Sequence, residues 1–431
     1  MSYENFITKL LNIKPSDLLS VMSSSAKDGS IILKVRLKPK ECYCHICNIP
    51  GKTHGYYQRK LTHSTLVNRQ CIIIYEQRRY KCSECGSTFS ERNPFIDTSE
   101  RVTYETKINV LKDLKQPENT YTSIAQKYNL SATKVTRIFD KHVTIKRKPL
   151  PMVLSIDEHY FPSSDYGTKY CCLFMNFQTG VMIDIIYDRK KNCLTDYFSS
   201  IKNETLDMRT LKSELDNVKY ISIDMYDTYR DIANIFFPKA KVCADSFHVL
   251  KHLTDDFRKI RLRLARNTED HTLKYLLVKF RSIFDHNKNI DNEARYNKRL
   301  NRYVNLRDIR DIVFNAFEEL RAAYELKEYY IRLNAETTLE EAPKVIDEAI
   351  EYFESCGIEE YEEFYKMLTN WHEEIINSFT LINGKRINNS YMESKNRVLS
   401  RLIFNANGFK NFERTRNRML YCLNPDDTFR L

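Results

Sequence analysis

The chain has 431 residues, 42% of them hydrophobic and 29% charged, which suggests roughly three domains and excludes collagen-like, low-complexity and wholly disordered chains. Lys and Arg exceed Asp and Glu by 11, yet Glu336–Glu374 holds thirteen acids against two bases, net −11, so the remainder carries +22 and a nucleic-acid partner is expected. No apolar run approaches the roughly 18 residues that cross a bilayer and the start lacks signal-peptide form, so a cytoplasmic protein without a membrane partner is expected.

Twelve cysteines in such a chain read as thiols or metal ligands rather than disulfides. Cys44-His-Ile-Cys47 and Cys82-Ser-Glu-Cys85 form two CxxC pairs separated by 34 residues. Each pair sits where a tight turn can aim two thiolates at one ion, and together they supply the tetrahedral sulfur set that structural Zn²⁺ prefers. Cys42, His45, His54 and His63 lie close enough to substitute for a ligand. Residues 71–80 between the knuckles read as a strand, so 1–98 is expected to be a zinc ribbon-like domain. Cys171 and Cys172, inside an apolar run, read as core.

From Tyr121 to His142 the period becomes helical. Ile124, Ala125 and Tyr128 share one face, Asn129-Leu130-Ser131 makes a turn with Ser131 available as an N-cap, and Val135, Ile138 and Phe139 face inward from a second helix. Thr133, Lys134, Thr136 and Arg137 then point outward, as in a helix-turn-helix whose second helix enters the major groove. Lys146, Arg147 and Lys148 follow as a basic linker, closing a DNA-binding domain over 99–148.

Beyond Pro151 the order is β-β-β-α-β-α-β-α, that of an RNase H-like domain. Val153–Asp157 is a short strand ending in a carboxylate, 169–177 and 181–187 are joined by a turn with Gly180, and Val218–Asp224 again ends in aspartate. A further strand reaches Asp245, and His248 opens the next helix. Strands one and four are neighbours in this topology, so Asp157 and Asp224 can meet at one sheet edge, asking for a third acid from elsewhere. Glu393 is that acid, in Asn388-Asn-Ser-Tyr-Met-Glu393-Ser-Lys-Asn396-Arg397, within a stretch, Gly384–Arg418, of nine Lys or Arg against two acids. Asn396 lies one turn along and could support the site or contact DNA; Arg397 and Arg401 are expected on the DNA. Residues 251–380 read as an all-helical insertion that divides the catalytic domain into 149–250 and 381–431. Within it Leu253, Phe257, Ile260 and Leu264 face inward, Arg258, Lys259, Arg261, Arg263 and Arg266 form a basic face toward phosphates, and Trp371 packs in the core.

These motifs, in this order, resemble a bacterial insertion-sequence transposase of the DDE superfamily, in the ISL3 family. The resemblance is carried by the CxxC pairs, the helix-turn-helix, Ser155-Ile-Asp157-Glu158, Ile223-Asp224-Met225, Asp245-Ser-Phe-His248, Glu393-Ser-Lys-Asn396 and Gly408-Phe-Lys-Asn-Phe412. It implies that Asp157, Asp224 and Glu393 are the DDE triad, with Asp245 and His248 as a supporting acid-x-x-His signature. It also implies two Mg²⁺ (or Mn²⁺) ions about 4 Å apart that activate water or a 3′-hydroxyl for attack on phosphorus. The implied partners are double-stranded DNA, both terminal inverted repeats and target, and a second copy of the chain in a homodimer or larger assembly. Ser390-Tyr391 departs from the Asn-Gly that many relatives carry there. Two other functions stay open at this point: a domesticated, inactive zinc and helix-turn-helix regulator, and a structure-specific RNase H-like nuclease.

Overall fold

Alternating apolar residues build the first sheet. In Arg69–Lys81 the side chains of Cys71, Ile73 and Tyr75 are buried at every second position, and Ile31–Leu37 repeats the pattern with Leu33 and Val35. The computed structural model describes residues 3–66, 69–97, 99–163, 166–285, 290–406 and 411–431. The chain divides into two units, Met1–Lys146 with Val398–Leu431, and Arg147–Arg397.

In the first unit, strands β1 (Leu18–Ser25), β2 (Ile31–Leu37), β3 (Lys52–Leu66) and β4 (Arg69–Lys81) lie in the order β1-β2-β4-β3, with β5 (Thr88–Ser90) also on β4. Helix α1 (Tyr3–Leu10) precedes the sheet, and α2 (Tyr104–Leu114), α3 (Tyr121–Tyr128) and α4 (Ala132–His142) follow it. Asn129 closes α3 in the left-handed region at φ 51°, and the Ser131 hydroxyl accepts from the Lys134 N–H at 3.2 Å to open α4. The helix Phe412–Leu423 completes this bundle. Its Tyr421 ring meets Phe139 edge-on at 6.0 Å and its hydroxyl donates to the Leu111 carbonyl, while buried Arg418 donates to the Gln116 and Asn119 carbonyls. Arg414 binds Asp140 through two nitrogens, so much of the basic C-terminal stretch is spent on internal contacts. Gly408, Phe409 and Lys410 of the sequence motif lie outside the described residues.

The second unit carries β6 (Val153–Ser163), β7 (Thr168–Asn176), β8 (Met182–Ile186), β9 (Tyr220–Ile223) and β10 (Lys241–Ala244) in the order β10-β9-β6-β7-β8. Strands β6, β7 and β8 are antiparallel, and β9 and β10 add in parallel. Gly180 turns β7 into β8 at φ 67°. Strands β8, β9 and β10 are buried along nearly their whole length, as strands covered by helices are; α5 (Lys191–Thr205), α6 (Asp227–Phe236) and α7 (Ser246–Asn267) alternate with or follow them in the chain. One expectation is corrected: β6 does not stop at Asp157 but continues to Ser163. Its pairing with β9 ends at Ser155, whereas pairing with β7 runs on through Tyr160, so Asp157 lies just beyond the end of the shorter neighbour.

The section after α7 is not all-helical. Arg295–Asn297 pairs antiparallel with Arg302–Val304, where Tyr296 and Tyr303 meet across the strands at 5.5 Å. The section's described helices share one continuous apolar core with the sheet, including Trp371, over which Arg230 sits at 4.0 Å. The basic face of α7 is corrected too. Arg261 is buried and binds Asp285 through two nitrogens, Arg263 clamps Glu319 and Glu360, and Lys259 pairs with Asp256. Such partners consume the charges within the unit, and Glu360 belongs to the acidic section itself. Arg258 and Arg266 remain exposed.

Candidate active site

Four separate elements deliver acids to one cavity of about 440 Å³, lined among others by Asp157, Asp224, Asp245, His248, Glu393 and Asn396. Asp157 projects from β6, Asp224 follows β9 directly, Asp245 caps the start of α7, and Glu393 sits in the first turn of the helix Ser390–Ala406.

Asp157 is buried. Its Oδ1 accepts from the Glu158 N–H at 2.7 Å and its Oδ2 from the Asn396 side-chain amide at 2.9 Å. Burial, and then the charge of Asp224, push its carboxyl up to about 8, and the Asn396 bond offsets only part of this. His248 Nδ1 lies 2.9 Å from Asp224 Oδ1 and 3.0 Å from Asp245 Oδ2. A single ring N–H serves one of them, and the hydrogen-bond geometry favours Asp245, so the buried Asp224 Oδ1 is left without a donor. Burial works against a charge on His248, but the two carboxylates more than offset it and carry its pKa up to about 10. A buried carboxylate oxygen without a donor beside a second carboxyl held protonated by its surroundings is a donor set suited to a hard divalent cation. Asp224, Asp245 and His248 also stand close enough, within 4.8 Å of one another, to share an ion.

Asp245 behaves differently from Asp224. It is 1% exposed and already accepts from the Phe247 N–H, the His248 ring and the Asn389 N–H. Glu393 is the most open of the group, with Arg397 at 3.5 Å as its ion-pair partner. Glu158 is held by Arg189 and by the Tyr229 hydroxyl, which donates to it at 3.4 Å. Asp227, on α6, is exposed and pairs with Arg230.

A family model of ISL3-type DDE transposases, described as Transposase, matches residues 154–419. The chain belongs to the ISL3 family of DDE transposases. Its function is accordingly that of a DDE transposase, a polynucleotidyl-transferase activity on DNA. No curated protein matches the chain. The match begins at β6, so the two CxxC pairs and helices α3 and α4 of this transposase lie outside it.

The four thiols of the transposase stand within 4.8 Å of one another. Both knuckles turn in the same way: Asn48 after Cys47 and Gly86 after Cys85 take positive φ, 53° and 70°. The Ser87 hydroxyl, with the Cys47 and Ile46 amides, draws Cys44 down to about 6, and Cys85 and Cys82 crowd Cys47 upward. Thiols that cannot all ionise together without a cation fit Zn²⁺. None of the alternative ligands joins the cluster: His45 meets Phe89 edge-on, His54 is exposed, and His63 is buried against Thr103. Cys42 also stands apart from the group.

Among the expected DNA contacts, Thr133 and Arg137 are exposed on α4 and Lys134 and Thr136 half-exposed; the Thr136 hydroxyl donates to the Ala132 carbonyl. Lys146 is exposed and Lys148 half-buried. Arg147 is not free for a phosphate: it forms a two-nitrogen pair with Glu214 at 2.7 and 2.9 Å. Arg397 reaches Glu393, and Arg401 binds Glu118 at 2.7 Å. Among the described residues no helix is long and apolar enough to cross a membrane.

The residue that sequence reasoning missed is Asn389. Its N–H donates to Asp245 and its side-chain amide to the Ile156 carbonyl, one residue before Asp157. The departure at Tyr391 also gains a physical account: its ring packs 3.6 Å from the position a Cβ would take on Gly180.

Proposed function

We propose that Asp157, Asp224 and Glu393 are the catalytic acids of an RNase H-like domain that cleaves and joins transposon ends. The observation carrying this reading is their convergence on one cavity in which Asp224 Oδ1 has no donor besides the His248 ring it shares with Asp245, and burial and the Asp224 charge raise the pKa of Asp157. Asp157 and Asp224 would hold the first of two Mg²⁺ ions and Glu393 would complete the set. Bound there, the ions supply Lewis-acid activation of the attacking oxygen and stabilisation of the leaving oxygen. The chain's own work is positional: Asn396 fixes the Asp157 carboxylate, Asp245 orients His248 against Asp224, and Asn389 ties the Glu393 segment to β6. In the first unit the Cys₄ cluster holds a structural Zn²⁺, and α4 presents Thr133, Lys134 and Arg137 to the terminal repeat. Pairing two ends calls for at least two copies of the chain.

One observation favours a second reading, in which Asp245 replaces Glu393 as third acid, because Asp245 is the closer as the structure stands. Its three donors and near-complete burial argue for support instead. Asp157→Asn, Asp224→Asn, Glu393→Gln and Asp245→Asn, assayed for Mg²⁺-dependent nicking of a plasmid carrying the DNA that flanks the coding region, decide it. The first three abolish nicking with end binding retained. Loss in Asp245→Asn with full activity in Glu393→Gln would establish the second reading.

A further inference from the structure

Arg386 is a half-buried cation whose hydrogen-bond acceptors are all uncharged oxygens. It lies on the short strand Lys385–Arg386, paired with Leu381–Ile382, between the helical section and the Glu393 helix. Its Nε donates to the Ser378 carbonyl at 3.0 Å, one Nη to the Ser378 hydroxyl at 2.9 Å, and the other Nη to the Asn334 carbonyl. The guanidinium carbon lies 3.6 Å from the centre of the Phe379 ring. Burial draws its pKa down to about 10.

A guanidinium removed from water without a contacting anion needs another source of negative potential. Asp245 acts on Arg386 through space, and two helix ends add to that. Asn334 is in the last turn of Glu318–Glu336, and Ser378 caps His372–Asn377. Each end carries unsatisfied carbonyls and partial negative charge. A planar fork of five donors can bridge both, whereas an ammonium reaches one at a time.

The chain beyond Arg386 has little freedom. Ile387 is fully buried with Val153, Phe177 and Cys243, and Asn389 is latched to Asp245 and the Ile156 carbonyl. Glu393 follows one helical turn later, itself exposed and held only loosely by Arg397. Its place is therefore set by its backbone, and its backbone is set upstream.

We infer that Arg386 is a positioning residue for DNA cleavage, clamping the end of the helical section to the segment that presents Glu393 and so fixing that carboxylate relative to Asp157 and Asp224. This rests on the reading of Glu393 as the third acid. A shift of about 1 Å in such a group costs up to about a hundredfold in rate.

Full-length Arg386→Lys and Arg386→Ala, with Glu393→Gln alongside, test it on the same flanking-DNA plasmid, with melting temperature and end binding measured in parallel. The Lys variant, which keeps the charge but loses the fork, is expected to fold and bind DNA as before. Its nicking rate should fall at least about tenfold and its Mg²⁺ requirement should rise by a similar factor. Millimolar guanidinium is expected to restore part of the rate in the Ala variant. A Lys variant with unchanged rate and Mg²⁺ requirement overturns the inference. So does activity that falls only in step with melting temperature and is not rescued by guanidinium, since Arg386 would then be merely structural. Normal nicking by Glu393→Gln would instead overturn the underlying assignment of Glu393.

Discussion

The four thiols of the knuckles stand within 4.8 Å of one another, whereas among the groups around the acid cavity only Asp224, Asp245 and His248 do so. The thiols come from two local turns, each closed by one residue of positive φ, and β3 and β4 hold the two turns together through a long antiparallel ladder. The acids come from positions 157, 224 and 393, and their meeting depends on a sheet edge, a helix cap and the Asn389 latch. The thiol cluster is thus formed by two local turns and one ladder, while the acid cavity is assembled by tertiary structure from residues far apart in the chain.

The largest effect expected is on the thiol side. Structural Zn²⁺ contributes on the order of 10 kcal/mol to the fold it closes, so chelation or Cys82→Ser should release one zinc per chain and unfold the knuckles. Metal analysis with circular dichroism checks this; a chain that keeps its melting curve without zinc would erase the distinction. Next comes the acid side, where Asp157→Asn or Asp224→Asn should lower nicking by about a thousandfold or more while leaving the melting temperature nearly unchanged. On the proposed reading the two regions would differ in what their ligands stabilise, fold in one and reaction in the other.

A smaller effect separates the first unit's sheet from its thiols. Burial lowers His63 from 6.5 to about 4. A histidine kept neutral in the fold contributes stability that is present above pH 6.5 and is lost as pH falls toward 4, at most about 3 kcal/mol. Thermal melting across that window should show a loss that His63→Asn flattens. The smallest effects concern two arginines. Arg137→Ala should weaken end binding by about 1–3 kcal/mol and relax sequence preference. Arg147→Ala should leave DNA binding alone and cost stability of about 1–3 kcal/mol, through its Glu214 pair. A filter-binding titration with parallel melts would separate them.

What was legible in the sequence divides along the same line. The CxxC spacing, the Ser131 cap, the Gly180 turn and the order of apolar strands are local signals, and the corresponding elements stand where those signals put them. Charge on a helix face was misleading on α7, because only tertiary structure reveals that Asp285, Glu319 and Glu360 meet those arginines. Arg147, expected on the DNA, likewise meets an acid 67 residues away that no local signal announces. A carboxylate at the end of an apolar run does not end β6, because the strand outlasts one of its two neighbours. Asn389 was invisible because a latch has no spacing signature; only the proximity of Asp245 and Ile156 gives it meaning.

The most direct test is diffraction from crystals soaked in Mn²⁺, with an anomalous difference map around the cavity. The account predicts a peak in coordinating contact with both Asp157 and Asp224, and Glu393 turned toward the same cluster. A peak held by Asp224, Asp245 and His248, with Asp157 and Glu393 uninvolved, would contradict it.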